Sequence, residues 1–562
     1  MTRRRELVGL VGLVGAIRRR PAVLGWLLGL ATAALVLVNQ QEVGIARDEV
    51  VYMQAASRYA AWWTGLLDHG ISERSVTQTF GGPGPTDNNR EHPALMKTLF
   101  GLSERVLHQR LGVDEVTAFR APAALIHGAL VAIVFGFALE LWGLAAALAA
   151  ALCLIGLPRA VFHAGLACFD APIMALWFAT VVAYARAMAE PARRWPWQVG
   201  VLWGLALATK HTALLLPFAL GAHYLIVGWR QARPATGLAR LRAMTGHRWR
   251  VIVSLAVCGP VTLYVVWPWL WFAPIAHVRD WLAFHLNHVH YNYEYLGHNW
   301  NAPRFPWHVA LVTTLFTVPV ATLVAAAIGG VVWLTGARRE GAAGDGQAPV
   351  LLLVLSFAAS IGPFVLGTTP IFGSEKHWMP ALPSLAIAAG VGIAWSGRRL
   401  AALVPRVPAA AVIGGLTAAV ALAAAAELSV AEPYALTWYN ALAGGAPGGA
   451  ELGMNRQFWG VSARGVLSEL GQLSSGRTYV YTHDASPAWG VYQREGQVSR
   501  DLVDAGLEQP GIDRSQLAIV VHELHFNRHD FMIWSAYGTV APVFVLTSSG
   551  VPIVSVYRRP PR

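Results

Sequence analysis

Apolar residues run through this chain in long blocks, not in the period-two alternation of a half-buried sheet. Eleven blocks approach or exceed the roughly 17–25 residues that carry a helix across a bilayer. They lie at about 22–39, 118–138, 141–157, 170–188, 196–209, 211–228, 251–270, 308–335, 349–368, 378–395 and 408–428; the fifth and sixth are short and adjoin. Polar residues gather in three long segments, about 40–117, about 273–307 and everything after 430. The last alternates strand-like runs (478–482, 517–521, 543–546, 553–557) with helix-like ones (487–493, 529–537), the pattern of a small α/β domain. The blocks predict a mostly α, polytopic membrane protein of about 11 transmembrane helices over 1–430, with external juxtamembrane helices. A C-terminal α/β domain outside the membrane is predicted over 431–562. No internal repeat shows, which weighs against transporters built from repeated halves.

Composition agrees with that pattern. Of 562 residues 55% are apolar and 13% charged, about half the charged share of soluble proteins. This excludes a soluble globular enzyme, a disordered chain and a collagen. The three cysteines, Cys153, Cys168 and Cys258, lie in apolar runs at spacings that make neither a disulfide framework nor a zinc motif. A net charge of +12 raises the question of a nucleic-acid partner, and its placement answers it. With the amino terminus in the cytoplasm, one side receives Arg3, Arg4, Arg5, Arg18, Arg19, Arg20, Arg193, Arg194, six arginines from Arg230 to Arg250, Arg338, Arg339, Arg398, Arg399 and Arg406. The excess therefore reports orientation by the positive-inside rule, and no nucleic acid is implied. The apolar run 7–17 between two arginine triplets is too short to span and reads as an interfacial helix, not a cleaved signal peptide. Arginine over lysine, 40 to 3, with abundant alanine and glycine, suits a GC-rich bacterial genome and hence a bacterial plasma membrane.

Candidate chemistry sits in the external segments. Directly after the first span come Arg47, Asp48, Glu49 and Tyr52, where adjacent carboxylates offer a general base or a solvated acidic pair. Glu91 and His92 precede Pro93 and an amphipathic run holding Lys97, which reads as a surface helix. Asp170 opens the fourth span, where an acid calls for a partner or a role, a helix cap included. The only three lysines, Lys97, Lys210 and Lys376, all fall on the external side; they suit snorkelling or the binding of a lipid-linked phosphate. The second external segment holds His277, His285, His288, His290, His298 and His308 among aromatics, which fits a wet aromatic interface as well as a metal site. His522-Glu523-Leu524-His525 is not a zincin motif, its second histidine being one residue too close.

Taken in order, these pieces resemble the GT-C integral-membrane glycosyltransferases, among them the bacterial protein O-mannosyltransferase-like and aminoarabinose-transferase-like groups. The resemblance rests on Asp48-Glu49, Glu91-His92-Pro93-Ala94-Leu95, Asp170-Ala171-Pro172 and Lys210. It extends to Lys376-His377-Trp378-Met379-Pro380-Ala381-Leu382-Pro383, to Trp438-Tyr439-Asn440 with Gly444-Gly445, and to Phe458-Trp459-Gly460. Ala94 replaces a second proline, and Phe458 replaces an acid, so no role carries over to that position. The resemblance implies transfer, with inversion, of a sugar from a polyprenyl-phosphate donor to a hydroxyl acceptor (glycan, lipid or protein) at the outer face of the membrane. It implies Asp48 as general base with Glu49 as alternative, Asp170 in the acidic site, and His92, Lys210, Lys376 and His377 on the donor phosphate. Glu91, Arg47 and Tyr52 would shape the acceptor side. A divalent metal ion is left open, with Asp48, Glu91, Asp170 and His285 as candidate ligands. The rival expectations are a transporter or flippase of a lipid-linked sugar and a non-catalytic scaffold.

Overall fold

The structure is a computed structural model in which residues 21–81, 89–190, 195–233, 235–335, 347–525 and 527–561 are described. The run 7–17 lies outside the described residues. Among the described residues eight helices are long and apolar enough to cross a membrane: Ala22–Asn39, Glu115–Ile155, Asp170–Ala189, His211–Gln231, Trp249–Val266, Ala348–Val365, Met379–Leu403 and Ala409–Ala431. Each of the eleven apolar blocks falls on helix, and three local events account for the smaller number. The second and third blocks join in one 41-residue element broken at Gly143, whose φ of 79° and ψ of 178° suit a residue without Cβ. The fifth block forms Trp195–Leu207, which at 13 residues is short for a span. The eighth is split at Pro319 into Val309–Thr317 and Val320–Thr335, with Val318 extended as a residue before proline prefers. That break frees carbonyls inside an apolar bundle, and Asn440 satisfies them. Its amide donates to Leu315 O at 2.7 Å and Val318 O at 2.6 Å, and its backbone N–H to Phe316 O at 2.8 Å.

The bundle core holds Phe135, Trp177, Phe178, Met379 and Ile387, and the buried Trp177 indole donates to Ser356 Oγ at 2.8 Å. Outside it, the first polar segment folds into Arg47–Thr64, Leu66–His69, Glu73–Phe80 and Leu95–Leu107. The second gives Pro274–Leu286 and a hairpin of β1 (Tyr293–Tyr295) and β2 (His298–Trp300). After residue 430 come β3 (Thr478–Tyr481), β4 (Leu502–Asp504), β5 (Leu517–Val521), β6 (Phe544–Ser548) and β7 (Val551–Arg558) in the order β4-β3-β5-β7-β6. β3 pairs in parallel with β4 and β5, while β7 is antiparallel to both β5 and β6. Short β4 and the helix Glu508–Arg514 are additions to the pattern read from sequence. The sheet's core is continuous with the first external segment: Val43, Ile45, Val50 and Met53 share one buried cluster with Trp459, Tyr492, Ile519 and Val554. This shared core sets the C-terminal region against the start of the helix that carries Asp48.

Candidate active site

Asp48 and Glu49 both stand in the first turn of Arg47–Thr64, where acids complement the helix dipole. Neighbouring positions on a helix do not face the same way, and here the two carboxylates separate completely. Glu49 is 0% exposed. It accepts from Arg120 Nε at 2.7 Å and Arg120 Nη2 at 2.8 Å, and from the backbone N–H groups of Ala167 at 2.7 Å and Ala46 at 3.1 Å. With all four acceptor directions used, it has none left for a substrate proton. Glu49 is therefore a structural anchor, and its expected role as alternative base is corrected on that ground. Asp48 turns the other way, and its side chain is 31% exposed. Its Oδ2 accepts the indole N–H of Trp459 at 2.8 Å and lies 4.0 Å from Lys376 Nζ; its Oδ1 is 3.7 Å from Arg47 Nε. Arg47 itself donates to Asp484 at 3.1 Å, across to the C-terminal region.

The three lysines take three different positions. Lys97 is buried and donates to Asn89 O at 2.5 Å and His92 O at 2.8 Å, so it ties down the turn that carries Glu91 and His92. Lys210 pairs with Asp170 at 2.6 Å, both buried. Lys376 is buried too, but its ammonium lies over the rings of Trp459 (4.1 Å to the centroid), Phe372 (5.0 Å) and Phe458 (5.8 Å). Among the described residues Asp48, at 4.0 Å, is its ion-pair partner, and no hydrogen bond satisfies it. Burial lowers its pKa, partly opposed by Asp48 and Asp170. Phe458, where the resembling family has an acid, thus forms part of an aromatic cradle.

Histidines and Tyr52 lie within electrostatic reach of these groups. His92 packs beside Tyr52 (ring centroids 5.6 Å) and Phe169 (5.2 Å). Burial, with Lys97 next, pushes it well below the ordinary imidazole range, so it is neutral. Among the described residues its Nδ1 has no hydrogen-bond partner. Tyr52 is buried, and burial followed by the Asp48 carboxylate raises its phenol well above the usual value. Glu91 accepts from the Asn89 amide at 2.6 Å, and its carbonyl meets His285 Nε2 at 3.0 Å. His285 also stacks on His211 at 3.7 Å. The other loop histidines join aromatic contacts: His277 stacks on Trp269 at 4.0 Å and His288 on Phe372 at 4.8 Å. His377 differs from its expected place on the donor phosphate, because its Nε2 is held by the backbone of Phe372.

The residues expected to bind a metal do not fit one. Among the described residues no group of three or more His, Cys, Asp or Glu side chains is placed to hold an ion. Asp170 is engaged by Lys210, Asp48 by Trp459 and Lys376, and His285 by a backbone carbonyl. Ammonium groups balance two of the candidate carboxylates, Lys210 that of Asp170 and Lys376 that of Asp48.

Several site residues were not anticipated. Arg120 lies within the second apolar block, and a lone arginine in a span signals a buried acid. Arg159 donates to Glu375 at 2.6 Å and to the carbonyls of Leu436 and Trp438, both at 3.0 Å. This joins Lys376's neighbour to the segment after the last span. Burial raises Glu375, but Arg159 and His163 outweigh it and hold the carboxyl at about 2. Trp459 was visible only as part of a motif whose acid is missing.

A family model described as Dolichyl-phosphate-mannose-protein mannosyltransferase matches residues 105–264. No curated protein matches the chain. Among solved structures, the chain is similar to ArnT from Cupriavidus metallidurans in the apo state, with 15% identity over 95% of this chain and 98% of that one and a TM-score of 0.48. The same protein bound to undecaprenyl phosphate gives 15% identity, 94% and 97% coverage and a TM-score of 0.47. The archaeal oligosaccharyltransferase AglB from Archaeoglobus fulgidus, in complex with an inhibitory peptide and a dolichol-phosphate, gives 8% identity, 93% and 72% coverage and a TM-score of 0.49. The similarity to the Dolichyl-phosphate-mannose-protein mannosyltransferase family model thus covers residues 105–264 of this chain.

Proposed function

We propose that this protein is a membrane glycosyltransferase that moves a sugar from a polyprenyl-phosphate donor to a hydroxyl acceptor at the outer face of a bacterial plasma membrane. The observation that carries this reading is the ammonium of Lys376, a buried residue, seated over three aromatic rings without a hydrogen bond among the described residues, 4.0 Å from a carboxylate at a membrane boundary. A charge largely withdrawn from water and lacking hydrogen-bond partners is costly, and an anionic group such as a donor phosphate would supply them. The family match over 105–264, described by a dolichyl-phosphate-mannose reaction, supports the same donor class.

In this reading Asp48 accepts the acceptor's hydroxyl proton as that oxygen bonds to the anomeric carbon. The bond from that carbon to the phosphate oxygen breaks, and its electron pair leaves with the lipid phosphate. Lys376, with the Lys210–Asp170 pair and neutral His92 nearby, offsets the developing charge. A single displacement inverts the anomeric centre. The test uses purified protein in lipid vesicles with polyprenyl-phosphate sugars, following sugar transfer and released lipid phosphate. Asp48→Asn is expected to lower turnover by about 10²–10⁴-fold, the usual contribution of a general base, with unchanged melting. A fully active Asp48→Asn, or movement of the lipid-linked sugar across the bilayer without transfer, overturns the proposal.

A further inference from the structure

We infer that Trp459 is the positioning residue of this site: its indole N–H aims the Asp48 carboxylate while its ring face seats the Lys376 ammonium. One side chain from the C-terminal region thereby fixes the spacing between the base and the phosphate-binding cation. The inference rests on the transferase reading above and adds a residue to it.

Three contacts converge on Trp459. Its Nε1 donates to Asp48 Oδ2 at 2.8 Å, its ring centroid lies 4.1 Å from Lys376 Nζ, and its carbonyl accepts the backbone N–H of Arg47 at 2.9 Å. The last contact occupies one of the free N–H groups at a helix start, so Trp459 holds the turn that carries Asp48 as well as the side chain itself. The backbone makes this reach. Trp459 has φ 74° and is followed by Gly460 at φ 71°. A bulky aromatic persists in the left-handed region only where its surroundings over-determine it, and such residues cluster at functional sites. The residue is 3% exposed, and its ring packs edge-on to His163 and Phe458, at centroid distances of 5.6 and 5.0 Å.

The division of labour on Asp48 follows. Trp459 hydrogen-bonds Oδ2 and Lys376 lies nearest the same oxygen, whereas among the described residues Oδ1 has only Arg47 Nε at 3.7 Å. Oδ1 is then the oxygen that receives the acceptor proton.

The test compares wild type with Trp459→Phe, Trp459→His and Trp459→Leu in vesicles, using a polyprenyl-phosphate sugar and recording melting temperature alongside kinetics. Trp459→Phe keeps a ring under Lys376 and loses the N–H; kcat is expected to fall at least about tenfold with donor KM within about twofold. Trp459→Leu loses both, so kcat falls similarly and donor KM rises at least about fivefold. Trp459→His retains a ring N–H and recovers part of kcat; if the phenylalanine variant does not fold, the histidine and leucine variants make the same comparison. A Trp459→Phe enzyme with full kcat, or one whose donor KM rises as far as that of Trp459→Leu, overturns the inference. A wild type without turnover overturns the transferase reading itself, and the inference with it.

Discussion

Replacing Glu49 by glutamine separates a structural carboxylate from the proposed general base, Asp48, standing beside it. The carboxylate takes two N–H groups from Arg120 and two from the backbone, all within 3.1 Å, at a fully buried position. Glutamine offers one carbonyl oxygen and presents an NH2 group to donors, so at least two of these bonds are lost. Arg120 is 1% exposed and keeps hydrogen bonds from Nη1 to Gln40 O at 3.0 Å, Gln40 Oε1 at 3.0 Å and Val43 O at 3.1 Å, and from Nη2 to Gly44 O at 2.8 Å. The guanidinium is therefore solvated by carbonyls but left without its counter-charge. Breaking a buried pair from one side costs about 3–5 kcal/mol, and the carbonyl cradle places this case near the lower end. The expected result is a clear fall in melting temperature at fixed scan rate, the scan rate being held because unfolding of such proteins is commonly irreversible. Turnover per folded molecule should stay within about threefold, because Glu49 touches no reacting group. Asp48→Asn should give the reverse. A Glu49→Gln protein that melts like wild type yet loses turnover would refute this assignment and restore Glu49 as a base.

Three further outcomes follow from the geometry. Lys376→Met removes the one charge over the aromatic cradle, and donor KM in steady-state kinetics should rise at least about tenfold while acceptor KM changes little. Burial holds His285 at about 4, against an ordinary value of about 6.5. Above pH 7 both folded and unfolded chains carry it neutral; between about pH 6.5 and 4 only the unfolded chain takes the proton, so stability is lost as pH falls. Melting from pH 7.5 to 5 should decline, and His285→Gln should make that decline shallower. Asn440→Ala strands the carbonyls of Leu315 and Val318 at the Pro319 break; it should cost about 2–3 kcal/mol, read as a lower melting temperature with turnover per folded molecule preserved.

The spans were legible because a bilayer imposes a length and a composition that one strand of text displays directly. The C-terminal strands were legible for the analogous reason, since four of the five carry their own apolar runs; β4, three residues long, carries too little. Breaks within the spans depend on single residues. Pro319 could be seen, but the Asn440 side chain that repairs its break lies more than a hundred positions away and becomes meaningful only when the last span returns it to the bundle.

The site shows the same limit more sharply. Asp48 and Glu49 are adjacent and chemically alike, and no spacing rule says which one faces inward. The decision is made by Arg120, 71 positions on, and by Trp459, 411 positions on. The three lysines, alike in the sequence, are sorted by what the fold offers each: carbonyls around Lys97, a carboxylate for Lys210, ring faces for Lys376. An ammonium satisfied by carbonyls or paired at 2.6 Å has little affinity left for a ligand, whereas one seated on aromatic quadrupoles keeps its hydrogen-bonding capacity. In the proposed reading Lys376 is therefore the one of the three that meets the donor phosphate. A point charge with three rotatable donors can turn from a ring face to a phosphate oxygen, which the fixed fork of an arginine does less readily.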